Sequence, residues 1–295
     1  MSLAFKPLHP LFVAEATGVE LRSCHAPQAL AAIRRGMDDY AVLVFRDQHL
    51  SHHEQLAFAE RFDGRIHRAT SAAAVAKNRH GDEGLTDIGN VGDDGQVMAS
   101  QDRRRMNNLA NRLWHTDASF VEPCGRYSLL AAKVVPAEGA DTEYADMRAA
   151  YDALDADLRQ RVEGQRAFHS IVHSRSTLGF EFSDAERQRL PGAVQPLVRT
   201  IPGSGRKALY LASHIAHLVD WPVPESRLLL LELIEHATRP QFVYRHKWRE
   251  GDVVIWDNRC TMHRGTRFED VTQRRELVRT TTLDLPAATA NAAAG

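Results

Sequence analysis

Short apolar runs separated by turn-forming residues dominate this chain from Tyr127 onward. They fall at residues 128–135, 142–145, 167–172, 197–200, 208–212, 241–244, 253–256 and 275–283, each the length of a single strand rather than of a helix. Pro202-Gly-Ser-Gly205, between two of them, has the composition of a hairpin turn. Helical spacing of apolar positions appears at 147–154, 155–163 and 225–237. Earlier in the chain, 26–39 reads as a helix and 41–45 as a buried strand. Ser51-x-x-Glu54 predicts a capping box opening a second helix, with Leu56, Phe58, Ala59 and Phe62 on its inner face. Residues 64–106 lack a clear period and read mostly as a long connection, interrupted by an extended stretch at 85–91.

Many short strands with a few helices predict an α+β chain with a mainly β core, a sandwich or jelly-roll covered by flanking helices. Neither an internal repeat nor a domain linker is visible, so 1–295 reads as one domain with a small-residue, disordered tail at 287–295.

Charge narrows the partners. Lys+Arg (37) nearly balances Asp+Glu (38), which argues against nucleic acid or an anionic membrane surface as a ligand. Arg103-Arg104-Arg105 is the strongest basic cluster, and its polar surroundings read as a solvated loop. Cys24, Cys124 and Cys260 are odd in number, far apart and form no CxxC, as expected in a reducing compartment. No apolar stretch approaches the roughly 20 residues of a spanning helix, and no leader pattern opens the chain. A cytoplasmic protein is the expectation.

The chemistry concentrates in His115-Thr-Asp117, set among Leu113, Trp114 and Phe120, and in His263, which follows the strand-like run 253–256. On an extended strand residues i and i+2 face the same way, so His115 and Asp117 could reach one ion. Two imidazoles and one carboxylate on one face of a metal leave the opposite positions open, which suits non-haem Fe(II). The same residues would serve equally as hydrogen-bonded core groups. His80-Gly-Asp82 repeats the His-x-Asp pattern in a polar, turn-forming stretch and reads as surface loop. His169 and His173 would bind a metal together only on a helix, whereas 167–172 looks extended; His214 and His217 read as lining a core or a pocket wall. On the strand at 275–283, a period of two puts Arg275, Leu277, Arg279, Thr281 and Leu283 on one face. The two guanidinium groups would then stand about 13 Å apart. Buried, they would need carboxylates to meet them; exposed, they would be an ordinary mixed-charge strand.

Residues 111–120, 139–144, 146–154, 203–207, 256–265 and 274–284, taken together, resemble the Fe(II)/2-oxoglutarate-dependent dioxygenases of the taurine dioxygenase type, most closely those acting on 2,4-dichlorophenoxyacetate. The resemblance implies a double-stranded β-helix in which His115, Asp117 and His263 hold iron. It implies that Thr142 and Arg275 hold the distal carboxylate of 2-oxoglutarate, with Trp248 flanking them. Arg279 would face the 1-carboxylate of 2-oxoglutarate or the acidic group of the substrate, with Asn111 and Trp114 near the substrate. O2 is the second co-substrate, and the implied partner is a small anionic phenoxyalkanoate, cleaved to a phenol and glyoxylate with release of succinate and CO2. A homo-oligomer is implied as well. The spacing from His263 to Arg275 is one residue longer than in the taurine enzymes, an insertion the 268–272 loop would absorb. Between Gly64 and Gln101 the likeness weakens, and Gln96 stands where a lysine is expected, so substrate identity rests on the remainder. The alternatives are a taurine or alkylsulfonate dioxygenase releasing sulfite, and a non-catalytic jelly-roll binding metal and a small acid.

Overall fold

The apolar runs fold as strands whose two faces are both covered, which is why they show little polar alternation. The computed structural model describes residues 3–68 and 79–285; the tail at 287–295 lies outside them. A seven-stranded sheet runs in the order β1 (Ala4–Pro7), β2 (Ala14–Thr17), β3 (Val42–Phe45), β13 (Val253–Asp257), β5 (Gly125–Val134), β15 (Glu276–Leu283) and β4 (Thr86–Gly89). Its pairs are antiparallel except β2 with β3. A smaller antiparallel sheet, β12 (Val243–His246), β6 (Thr142–Asp146) and β14 (Thr261–Gly265), stacks on its inner face. Beyond it lie β11 (Ile215–Leu218), β7 (Arg166–His169) and β8 (Ala193–Pro196), and a hairpin of β9 (Val198–Thr200) and β10 (Lys207–Leu209) around the expected turn.

Alternate residues divide between two cores. Leu43, Phe45, Leu129, Ala131, Val253 and Ile255 point outward onto helices α1 (Pro27–Tyr40) and α2 (His52–Asp63). Their neighbours Val42, Val44, Leu130, Val254 and Trp256 point inward and meet Tyr144 of the small sheet. Each fully buried aliphatic or aromatic side chain contributes about 1.5–3 kcal/mol, so the register is strongly fixed. The Ser51–Glu54 capping box forms as expected. On the far side, Ala145 and Met262 face α4 (Met147–Asp152) and α8 (Val223–Ala237), with α5 (Ala156–Val162) beside them.

Four local expectations need correction. Arg103-Arg104-Arg105 does not form a solvated loop but opens α3 (Arg103–Leu109), capped by Asp102. Its arginines bond acids that arrive from elsewhere in the chain: Arg103 to Glu186 of α7 (Asp184–Arg189) at 2.9 Å, Arg104 to Asp93 at 3.0 Å and Arg105 to Asp270 at 3.1 Å. The long connection read at 64–106 therefore closes with the start of α3, while β4 lies within the extended stretch expected at 85–91. The extended stretch at 167–172 ends at His169, and Ser170 then caps α6 (Ile171–Ser176) through the His173 amide. His80 is not a surface group: its ring is only 4% exposed and packs edge-on against His52. β4 lies so close to β15 that a Cβ at Gly89 would fall 2.1 Å from the Arg275 carbonyl oxygen, a contact only glycine permits.

Candidate active site

His263 lies within β14, a strand the sequence reading left unassigned, and faces inward opposite Tyr144 on β6. His115 joins it through a two-way backbone bridge, His115 N to His263 O at 3.0 Å and His263 N to His115 O at 2.8 Å. The stretch 115–117 is thus not a continuous strand. The bridge is isolated, and at Asp117 the chain turns, with Ala118 in a left-handed conformation (φ 53°). That turn brings the carboxylate back toward both rings. His115 Nε2 lies 3.9 Å from Asp117 Oδ1, and His263 Nε2 lies 3.7 Å from Asp117 Oδ2. Among the described residues these three form the one cluster whose donor atoms could share an ion, all within 4.8 Å of one another.

The donor set suits a divalent metal. His115 Nδ1 sits 2.8 Å from the Leu113 carbonyl oxygen, so this nitrogen donates and leaves the Nε2 lone pair for an ion. Burial pushes His115 down to about 4 and His263 well below its usual value, so both imidazoles are neutral near pH 7. Burial alone would raise Asp117; the Arg279 guanidinium, the two imidazoles and the Ser128 hydroxyl outweigh it and hold the carboxyl at about 2. Asn258, which the sequence reading passed over, is the hub beneath the acid. Its Oδ1 accepts from the Asp117 amide at 3.1 Å and from Trp256 Nε1 at 3.0 Å. Its Nδ2 donates at 2.9 Å to Ser128 Oγ, which donates at 2.8 Å to Asp117 Oδ2.

A cavity opens beside the two histidines, walled by Thr142, Arg275, Asn111, Leu130 and Phe268. Arg275 is 8% exposed, its Nη1 donates to the Ile88 carbonyl oxygen at 2.8 Å, and burial pushes its pKa down to about 10. Trp248, buried against Tyr144 and Trp256, donates from Nε1 to Thr142 Oγ1 at 2.9 Å and so sets the direction of that hydroxyl. Arg279 points into the same space and bonds Asp117 Oδ1. The strand's other face is buried too: Val278 and Thr280 receive Gln55 of α2, and Thr282 donates to Asp63. A smaller cavity shares Asn111, His115 and Arg279 with the first and adds Asp117, Arg175 and His214. His214 lines a pocket as expected, whereas Arg175 carried no sequence signal.

Trp114 does not line either cavity. Its ring packs on the core behind the small sheet, with the Arg264 guanidinium 4.7 Å above it. Residues 114 and 115 are extended neighbours, so turning His115 inward turns Trp114 outward. His169 and His173 do not pair either; His169 Nδ1 meets Ser119 Oγ at 2.9 Å while His173 faces Arg227.

Comparison with known proteins bears on this geometry. A family model described as "Taurine catabolism dioxygenase TauD, TfdA family" matches residues 4–281. The alpha-ketoglutarate-dependent 2,4-dichlorophenoxyacetate dioxygenase of Cupriavidus pinatubonensis is 48% identical over 96% of this chain and 99% of its own length. The (S)-phenoxypropionate/alpha-ketoglutarate-dioxygenase of Sphingobium herbicidovorans is 38% identical over 93% of each. The crystal structure of AAD-2 in complex with Mn(II) and N-oxalylglycine superposes with a TM-score of 0.88 at 42% identity, covering 97% of this chain and 98% of that one.

Proposed function

The chain belongs to the taurine catabolism dioxygenase TauD, TfdA family, and on that premise we propose that it hydroxylates the ether-linked carbon of an aryloxyalkanoate such as 2,4-dichlorophenoxyacetate. It is an Fe(II)- and 2-oxoglutarate-dependent dioxygenase. The stacking of the small sheet on the large one, with strands from both ends of the chain in one sheet, supports reading 1–295 as a single domain on a double-stranded β-helix. The observation that carries the functional reading is the His115, Asp117, His263 cluster opening onto a cavity that holds the buried Arg275 guanidinium.

In this reading the three side chains hold the ion from one side and leave the cavity side open. Iron, when bound with 2-oxoglutarate and O2, supplies the oxidising power, and succinate and CO2 are released. Arg275 binds the far carboxylate of 2-oxoglutarate by its two-pronged guanidinium, and the Thr142 hydroxyl, oriented by Trp248, donates to the same group. Asn258 and Ser128 keep Asp117 fixed, so the donors need no rearrangement during turnover. Arg279 balances Asp117 and faces the carboxylate end of 2-oxoglutarate nearest the metal. The protein's contribution is to hold the substrate's ether-linked carbon at the metal and to exclude water behind Trp256 and Leu130. The hydroxylated product is a hemiacetal, which falls apart to a phenol and glyoxylate.

The test is a substrate panel with Fe(II), 2-oxoglutarate and O2. Phenoxyacetates should give phenol in step with succinate, and alkylsulfonates no sulfite. Sulfite from alkylsulfonates without phenol from any phenoxyalkanoate would replace this reading with sulfonate oxidation.

A further inference from the structure

Four arginines are buried among the described residues: Arg148, Arg175, Arg259 and Arg275. Two have their counter-charge beside them, Arg148 with Asp146 at 3.0 Å and Arg259 with Asp257 at 2.6 Å. Arg175 and Arg275 have no acidic side chain at ion-pair distance among the described residues, and each opens onto a cavity at the metal cluster. Residues 69–78 and 286–295 carry no Asp or Glu side chain that could supply one. A buried cation without an anion is expensive to keep. The reaction uses two acids, 2-oxoglutarate and the organic substrate, and Arg275 accounts for the first.

We propose that Arg175, on α6, binds the acid group of the organic substrate, and that the smaller cavity, with Phe120 and Ile171 on its walls, is the chamber that receives it. This assignment rests on the dioxygenase reading above. The guanidinium is 4% exposed and held in place by neutral groups: Nη2 donates to Asn111 Oδ1 at 3.1 Å, and Nη1 lies 3.4 Å from His214 Nε2. His214 is braced in turn by Ser119 Oγ, 3.3 Å from its Nδ1, and its ring lies 5.8 Å from that of His115. Arg175 Nε is buried without a hydrogen-bond partner among the described residues. The group is therefore anchored one ring away from a metal ligand with a donor still unused. Arg279 faces the same chamber but bonds Asp117, so the structure assigns it to the metal side and Arg175 to the substrate side.

Anaerobic calorimetry on protein loaded with Fe(II) and 2-oxoglutarate tests this, using phenoxyacetate and its uncharged counterpart phenoxyethanol as probes. The unaltered protein should bind the acid at least about 30-fold more tightly than the alcohol, the range of a charge-assisted hydrogen-bonded pair. Arg175→Gln should remove that preference while 2-oxoglutarate still binds, and Arg175→Lys should restore part of it. Arg175→Gln that keeps the preference, or loss of 2-oxoglutarate affinity in both variants, overturns the assignment. If Arg175→Gln still prefers the acid and still releases phenol, the proposed function stands and only Arg175 falls. Unaltered protein that binds neither probe overturns the proposed function, and this assignment with it.

Discussion

Replacing His115 with alanine is expected to abolish 2-oxoglutarate turnover, lowering succinate release at least about a thousandfold. A metal ion contributes several kcal/mol of stabilisation at a reacting centre, and each 1.36 kcal/mol is about tenfold in rate. His115 supplies one of two neutral imidazole donors, and its Nε2 is presented by the bond from Nδ1 to the Leu113 carbonyl. The link between His115 and His263 that shapes the site runs through main-chain atoms, so alanine leaves it in place. The variant should therefore unfold in urea near the same midpoint as the unaltered protein while losing Fe(II) affinity. Normal succinate release from a folded His115→Ala would refute its assignment as a ligand.

The second large effect is expected at Arg275. Arg275→Gln should raise the KM for 2-oxoglutarate about a hundredfold, the cost of truncating one side of a buried charged pair, with much smaller changes in kcat at saturation. Arg275→Lys should fall between, because a single ammonium cannot reproduce the two-pronged geometry. A second readout separates binding from folding. Without 2-oxoglutarate Arg275 carries a burial cost that Tyr144 and Asp141 only partly offset, so Arg275→Gln should not lower Tm. The rise in Tm that 2-oxoglutarate produces by binding the folded state should disappear. A higher KM for the aryloxyalkanoate instead, with that for 2-oxoglutarate unchanged, would mean that the two acids had been assigned to the wrong arginines.

How much of this was legible in the sequence depended on where the stabilising contacts came from. The strands at 41–45, 253–256 and 275–283 were readable because both their faces are buried, and their apolar content is continuous or alternates with cavity-facing arginines. The α2 helix announced itself through Ser51 and Glu54, which are neighbours in the chain. The helix at Arg103 was missed because its partners, Glu186 and Asp270, lie far away in sequence and make sense of the charges only after folding. His115, His263, Thr142 and Arg275 were picked out together and do line one cavity, with Asp117 placed against the two histidines. Trp114 was carried along by its place in the same motif, although simple alternation beside an inward His115 already turns it away. Asn258 sat in plain view between Trp256 and His263, but an asparagine after a strand is usually a turn residue. Its role appears only when Thr116 and Ser128 arrive from other elements, with Thr116 Oγ1 donating to the Asn258 carbonyl oxygen at 2.6 Å. Arg175 had no pattern to betray it. Its burial follows from α6 packing behind β11, a long-range fact.

Anomalous diffraction at the iron edge, from crystals grown anaerobically with Fe(II) and 2-oxoglutarate, addresses the metal assignment most directly. A single iron peak should lie against His115, Asp117 and His263, with protein ligands on one side and 2-oxoglutarate reaching it from the Arg275 cavity. A peak away from these residues, or an ion fully enclosed by protein side chains with no room for O2, would contradict the account.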